Sequence, residues 1–349
     1  MNLKSYPKGR PLHPDLPKCP FIIYSDEFLD VLGPDPRLEE VVATNAHEGP
    51  VYVKEQTANA LYFTTVPQDV NVPSPGYKTV AISRLDLNAE PPTVSVVRQP
   101  SNMANGMTLD REGRLIICEQ GTRSSPASIS RLDLKTNRIE SLVEQWFGLP
   151  FNSPNDVVVK SDGTIWFTDP SYGFNQGFRP EPVVGDYVYR FDATAGSLSV
   201  VADSFNKPNG LAFSPDESIL YINDSAAIQG TGPYHPGLPH HIVAFDVKDG
   251  AHLTNARLFA VVTPGIPDGL KVDSAGRVYS SSADGLKVFN TSGGLIGAIQ
   301  VSNVANFTFG GPQKNIIYIL NDSAIHAAHL EAQGGALTIP RSQQPTARS

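Results

Sequence analysis

The chain has 349 residues, of which 18% are charged and 40% hydrophobic, as is usual for a folded globular protein. Its 29 glycines and 30 prolines argue against an all-helical fold, because both residues interrupt helices. With 27 Lys and Arg against 35 Asp and Glu, the net charge of −8 argues against a nucleic-acid binder. No apolar run approaches the roughly 18 residues of a membrane span, so no membrane association is expected.

The first 40 residues are rich in proline and predict an irregular segment with one short helix around residues 25–32. They contain no apolar core of the kind that a signal peptide needs. The cysteines, Cys19 and Cys118, are too few for a disulfide scaffold. We therefore expect free thiols and a cytoplasmic protein, with a secreted form as the alternative. Residues 331–349 are polar and aperiodic and predict a flexible tail.

A repeated unit fills residues 41–330: a polar residue, a short apolar strand, a turn and a second apolar strand. The unit occurs six times, with spacings of 57, 50, 54, 59 and 38 residues between its leading positions, which are Glu48, Asn105, Asn155, Asn209, Asp268 and Asn306. Turn sequences such as DREG at 110–113 supply the backbone angles that hairpins need. Most units continue with a third strand, such as SISRLDL at 128–134.

About four short antiparallel strands per unit, repeated six times, predict an all-β fold, a six-bladed β-propeller. A β-sandwich or two unrelated β domains would not explain six equivalent units. The spacing of 38 residues predicts a compact fifth blade, and the N-terminal segment is placed to lend a strand to the last blade and close the ring.

In a propeller the first strand of each blade lines the central channel, so the six leading residues should meet at one end of it. All six carry a side-chain oxygen: two are carboxylates and four are amides. Buried oxygens need a partner, and a hard cation would provide one. This donor set favours Ca²⁺, with Mg²⁺, Mn²⁺ or Zn²⁺ as alternatives. The polar leading residues have another explanation, since Asn-Gly and Asp-Gly dipeptides commonly form turns. This explanation accounts for one unit better than for six matching units.

Four short motifs resemble the signatures of the gluconolactonase/regucalcin (senescence marker protein) family: EGPVY at 48–52, PND at 154–156, PNGL at 208–211 and PDGL at 267–270. The segment WFTDPSYG at 166–173 is similar to one found in microbial lactonases of that family. The resemblance covers about residues 45–325. It implies a six-bladed propeller that holds a divalent cation in its channel and hydrolyses sugar-type lactones.

By this resemblance Glu48, Asn209 and Asp268 would be metal ligands. Asn155 would be a fourth ligand or a substrate contact with a catalytic role. Asp268 would also be the base that activates water. The repeat itself adds Asn105 and Asn306 as residues that line the channel, with Asn105 a candidate substrate contact.

Three loops follow the second strands of their blades: 119–127, 169–186 and GTGPYHPGLPHH at 230–241. They should lie on the same face of the propeller as the leading residues and form the walls of a substrate pocket. They make Gln120, Tyr172 and His235 candidate substrate contacts, together with Phe174 and Arg179. Many microbial family members have Glu-His-Gly where this chain has EQG at 119–121, and some animal members have arginine where Ser153 stands. The particular lactone is therefore left open.

The sequence thus predicts a metal-dependent hydrolase that acts on a small lactone. Squid-type phosphotriesterases look similar, so organophosphate hydrolysis at the same site is one alternative. A non-catalytic propeller that only binds a metal is another, since fold alone does not determine function. The oligomeric state stays open.

Overall fold

The computed structural model describes residues 10–11, 20–54, 59–69 and 78–335. Its strands form five four-stranded sheets and one six-stranded sheet, with two small hairpins beside them. The sheets are the six blades of a β-propeller, which confirms the predicted fold. Neither helix in the described part of the chain has the length and apolar character needed to cross a bilayer.

The N-terminal segment and the first two blades contain the first half of the strands. The N-terminal elements are β1 (Arg10–Pro11), β2 (Phe21–Ile23), α1 (Phe28–Leu32) and β3 (Arg37–Ala43). Blade 1 and its hairpin comprise β4 (Ala46–Lys54), β5 (Asn59–Thr65), β6 (Gln68–Asp69), β7 (Lys78–Thr79), β8 (Ile82–Asp86) and β9 (Thr93–Arg98). Blade 2 and its hairpin comprise β10 (Ala104–Leu109), β11 (Leu115–Glu119), β12 (Ser128–Asp133), β13 (Arg138–Val143), β14 (Gln145–Trp146) and β15 (Leu149–Pro150).

The remaining four blades follow in chain order. Blade 3 comprises β16 (Val157–Val159), β17 (Ile165–Asp169), helix α2 (Tyr172–Asn175), β18 (Tyr187–Asp192) and β19 (Ser197–Ala202). Blade 4 comprises β20 (Pro208–Phe213), β21 (Ile219–Asp224), β22 (His241–Lys248) and β23 (His252–Val261). Blade 5 comprises β24 (Leu270–Val272), β25 (Val278–Ser282), β26 (Gly285–Phe289) and β27 (Leu295–Ile299). Blade 6 comprises β28 (Asn306–Gly310), β29 (Ile316–Leu320) and β30 (Ala324–His329), joined by β3.

The first strands of the six blades form a closed ring around the channel. Contacts run from β4 to β10, β16, β20, β24 and β28, and from β28 back to β4. Six apolar clusters fill the spaces between neighbouring blades; in one, Trp166 of blade 3 packs with Leu211 and Leu220 of blade 4. The sheets therefore stack face to face around the axis, and the leading residues inherit their positions from that stacking.

The N-terminal segment closes the ring. Strand β3 pairs antiparallel with β30, so that Arg37 lies opposite His329 and Ala43 lies opposite Ala324. Strand β2 pairs with β27 of blade 5, where Phe21 and Ile23 enter the core. The segment predicted to be irregular apart from one short helix thus contains that helix and three paired strands, because the apolar residues of β2 and α1 are buried against the last two blades.

Two sequence-based expectations fall partly outside the described residues. Cys118 is free and buried, whereas Cys19 lies outside them. Of the tail predicted for residues 331–349, residues 336–349 lie outside them as well.

Glycines after the leading residues allow neighbouring blades to approach closely at the channel. A Cβ atom on Gly106 would stand 2.4 Å from the carbonyl oxygen of Asn155, and one on Gly210 would stand 2.2 Å from that of Asp268. The amides of these glycines donate hydrogen bonds to the same two oxygens, at 2.8 and 3.1 Å. The glycine after a leading residue therefore allows contact between neighbouring blades, in addition to any preference of the dipeptide for a turn.

Substitution Gly210→Ala should lower the free energy of unfolding by about 2 kcal/mol, because the added methyl group has no space beside Asp268. Chemical unfolding followed by circular dichroism measures the effect. Gly237→Ala is the matched control: no atom lies within 4 Å of the added methyl group, so the change should stay within about 0.5 kcal/mol. Equal stabilities of the two variants would contradict the close approach.

Candidate metal centre and active site

The six leading residues of the repeat lie at the same end of the ring, where each innermost strand begins. Glu48, Asn105, Asn209 and Asn306 lie within β4, β10, β20 and β28, and Asn155 and Asp268 each come two residues before β16 and β24. Glu48, Asn155, Asn209 and Asn306 are buried, whereas Asp268 remains partly accessible. The most accessible acid of the set is therefore the one predicted to act as the base.

The Asp268 side chain is surrounded by the groups expected of a shared site. Partial enclosure and the negative charge of Glu48 raise the pKa of its carboxyl well above the ordinary value, while a hydrogen bond from the Asn209 side chain acts in the opposite direction. Its backbone is held by three bonds: its amide donates to Ser281 Oγ at 3.0 Å, and its carbonyl accepts from Asn223 Nδ2 at 2.8 Å and from the Gly210 amide at 3.1 Å. The structure thus brings Glu48, Asn209 and Asp268 together.

Glu48 is oriented by its neighbours in the ring. Asn306 Nδ2 donates to Glu48 Oε2 at 2.7 Å, and the Gly49 amide donates to the same oxygen at 3.2 Å. On the other side, His47 Nδ1 lies 2.6 Å from Asp322 Oδ1. Burial opposes the charged imidazole, but this bond and the charges of Glu48, Asp322 and Asp268 raise the pKa of His47 to about 9.

Asn155 and its neighbour Asp156 join blade 3 to this group. The Asn155 carbonyl accepts from the Gly106 amide, which places the residue between β10 and β20 in the ring. Burial and the charge of Glu48 raise the pKa of Asp156, whereas the charge of Lys271 lowers it. The balance of these effects raises the pKa to about 6. Asp156 Oδ2 and Asn105 Oδ1 are both buried and accept no hydrogen bond.

These residues fit a hard cation. Within the described ranges no three His, Cys, Asp or Glu side chains form a metal-binding cluster, so a cation here would need Asn oxygens beside the two carboxylates. Carboxylate and amide oxygens are the ligands that Ca²⁺ prefers. A cation would also relieve the repulsion between Glu48 and Asp268, which otherwise raises the cost of ionising Asp268.

Tyr172, at the start of α2, faces the same group. Its hydroxyl donates to the Ser225 carbonyl at 3.5 Å and is hydrogen-bonded to the Asn209 side chain. Burial and the charge of Asp268 raise the pKa of the Tyr172 phenol, which keeps it protonated as a donor. Ser153 Oγ accepts the Gly173 amide at 2.9 Å and so fixes the helix. Serine at position 153 therefore serves to position Tyr172.

Buried acids at the ends of second strands hold the chain segments that enter the ring. Asp169 accepts the amides of Asn152 and Ser153 at 2.9 and 2.8 Å, and burial raises its pKa to about 8. Asp224 likewise accepts the amides of Asn206 and Lys207, at 2.9 and 3.0 Å. Each carboxyl group thus positions the segment before a leading asparagine.

The other candidate pocket residues divide into buried and exposed ones. Gln120 is buried, whereas His235 and Phe174 are exposed on their loops. Arg179 is buried and donates four hydrogen bonds to the backbone carbonyls of two segments, those of Phe151 and Asn152 and those of Thr122 and Ser125. Arg179 therefore joins loops together, and the expectation that it lines the pocket overlooked this use of its guanidinium donors.

Sequence reasoning missed Lys271, which lies in the innermost strand β24 between the buried residues Leu270 and Val272. The signal was available: the residue between two apolar positions of a channel strand faces the channel, and a lysine there places a positive charge close to the leading residues.

Comparison with curated proteins finds similar chains among lactone-hydrolysing enzymes. A lactonohydrolase, oryL, from Aspergillus oryzae is 28% identical over 91% of this chain and 76% of its own length. A gluconolactonase from Zymomonas mobilis is 30% identical over 78% of this chain and 74% of its own length.

Comparison with solved structures agrees. A gluconolactonase from Xanthomonas campestris superposes with a TM-score of 0.72 and 32% identity, over 89% of this chain and 94% of that one. The sequence profile of the SMP-30/gluconolactonase/LRE-like region matches residues 47–322, from the residue before Glu48 to Asp322, which pairs with His47. The fold, the ring of oxygen-bearing side chains and this match show that the chain belongs to the SMP-30/gluconolactonase/LRE-like family.

Proposed function

We propose that this chain is a lactonase that depends on a divalent cation, Ca²⁺ in the first place. The observation that carries the proposal is the meeting of the Glu48 and Asp268 carboxyl groups with the Asn209 amide at one end of the channel. Membership of the family and the lactone-hydrolysing relatives support a cyclic ester as the substrate. Glu48, Asn155, Asn209 and Asp268 would hold the cation.

When bound, the cation would polarise the lactone carbonyl and stabilise the oxyanion that forms from it. The protein's own part is proton transfer and positioning. Asp268, partly accessible, would accept a proton from the attacking water as the bond from water oxygen to carbonyl carbon forms. It would return the proton to the ring oxygen as the ester C–O bond breaks, which opens the lactone to a hydroxy acid.

Asn209 and Tyr172 give this acid a defined geometry. Asn209 hydrogen-bonds both to Asp268 and to the Tyr172 hydroxyl, so the three groups form a connected network. A carboxylate is a weak base, but one held beside the attacking water accepts its proton efficiently because the two groups are already positioned. The Tyr172 hydroxyl keeps its proton, and it could exchange its long bond to the Ser225 carbonyl, 3.5 Å, for a bond to a substrate oxygen.

Removal of divalent cations with EDTA should abolish hydrolysis of δ- and γ-lactones, and Ca²⁺ at about 100 times its Kd should stabilise the fold by about 2.7 kcal/mol. The assay is release of acid at constant pH, with Mg²⁺, Mn²⁺ and Zn²⁺ compared in re-addition. Full activity after thorough chelation would refute the metal requirement. A fluorophosphate substrate tested in parallel ranks the organophosphate alternative.

Substitution Asp268→Asn should reduce kcat/KM for lactones by about a thousandfold, because the proton acceptor is lost. The metal-free variant should be no less stable than the parent, because the substitution removes the repulsion with Glu48. Asp249→Asn is the control: Asp249 is exposed, in the turn between β22 and β23, and has a positive φ of 54° that asparagine tolerates. Retained activity in Asp268→Asn would rule out this base.

Substitution Tyr172→Phe should lower kcat/KM about tenfold and leave the unfolding midpoint nearly unchanged, because one hydroxyl of a connected network is removed. Steady-state kinetics of the variant are compared with those of Tyr234→Phe. This substitution is the matched control, because Tyr234 is 41% exposed on the neighbouring loop. Identical kinetics of the two variants would exclude Tyr172 from the site.

A further inference from the structure

Lys271 is a cation built into the channel beside the proposed metal centre. It lies on the innermost strand β24, and its neighbours Leu270 and Val272 are buried. Lys271 itself is partly buried, so its ammonium group loses part of its water and is stabilised by polar or charged partners. The contacts of Lys271 identify those partners.

The Lys271 ammonium acts on the side chain that orients Glu48. Nζ donates to the Leu270 carbonyl at 3.0 Å and to Asn306 Oδ1 at 3.4 Å, and it stands 5.8 Å above the Phe307 ring. Because Asn306 Oδ1 also accepts the Phe307 amide at 2.8 Å, the amide oxygen is held on this side. The Nδ2 group must then point towards Glu48, to which it donates.

The charge of Lys271 also reaches Asp156, the buried acid that follows Asn155. Asp156 Oδ2 has no hydrogen-bond donor, so the ammonium charge is its main compensation. In their ionised forms Glu48, Asp156 and Asp268 carry three negative charges, and Lys271 reduces the total to two. The His47–Asp322 pair, one cation and one anion, adds none.

We propose that Lys271 sets the charge of this centre so that it matches a divalent cation, and thereby determines selectivity for a divalent over a trivalent ion of similar size. The inference rests on the proposed metal-dependent function. It follows from electrostatics: one additional positive charge nearby disfavours a trivalent ion more than a divalent one, whatever the quality of the ligand geometry.

The test measures binding of Ca²⁺ by calorimetry and of Tb³⁺ by luminescence, with the purified full-length chain and no substrate. For Lys271→Met the ratio of Tb³⁺ affinity to Ca²⁺ affinity should rise about tenfold over the parent. A loss of Glu48 orientation would weaken Tb³⁺ at least as much as Ca²⁺, so it cannot produce a rise in this ratio. Lys271→Arg keeps the charge and should keep the ratio.

Two further variants make the result independent of folding defects in Lys271→Met. Asp156→Asn alone should lower the ratio about tenfold, and the double variant Lys271→Met with Asp156→Asn should return it to the parent value. Lys287→Met is the matched control, because Lys287 is a buried lysine of the same sheet that pairs with Asp284. Its ratio should not change.

The outcomes separate this inference from the proposed function. If the parent chain binds neither ion, both proposals fail. If it binds Ca²⁺ and the ratio is the same in the parent, Asp156→Asn and Lys271→Met, the metal centre stands and the role of Lys271 is overturned.

Discussion

The main constraint on this fold is an unfavourable contact, the approach of the Glu48 and Asp268 carboxyl groups at the end of the channel. The rest of the structure must hold these two acids together. Like charges repel strongly where water is scarce, so neither strand would place its acid there on local grounds. The apolar clusters between the six blades supply the free energy that holds the acids together. Packing between the blades thus offsets the cost of holding these two acids together at the end of the channel.

The groups around the acids restrict their orientation. Asn306 directs Glu48, Asn209 links Asp268 to Tyr172, and the buried carboxyl groups of Asp169 and Asp224 fix the segments that lead into the ring. Such outer contacts hold ligands and catalytic groups in place with little adjustment on binding. The loops that carry Gln120 and Tyr172 are joined by Arg179 for the same purpose.

The fold could be predicted from the sequence because a repeat is a global signal: six polar residues, each followed by paired apolar strands, leave few alternatives to a propeller. The meeting of Glu48, Asn209 and Asp268 follows from that symmetry. The roles of Lys271 and Arg179 could not be predicted, since they depend on which carbonyl or carboxyl group a long side chain reaches in three dimensions. The sequence predicted that the N-terminal segment lends a strand to the last blade. It did not predict which residues of β3 and β30 lie opposite each other, because the two strands are separated by most of the chain.

That pairing has a consequence for how the chain assembles. Strand β3 precedes blade 1 in the sequence, and its partner β30 is the last strand of blade 6, so during synthesis β3 has no partner until blade 6 has been made. The first five blades have all their own strands before then. The contact between β3 and β30 is accordingly the seam of the ring, and the large separation of the two strands in sequence favours its late formation.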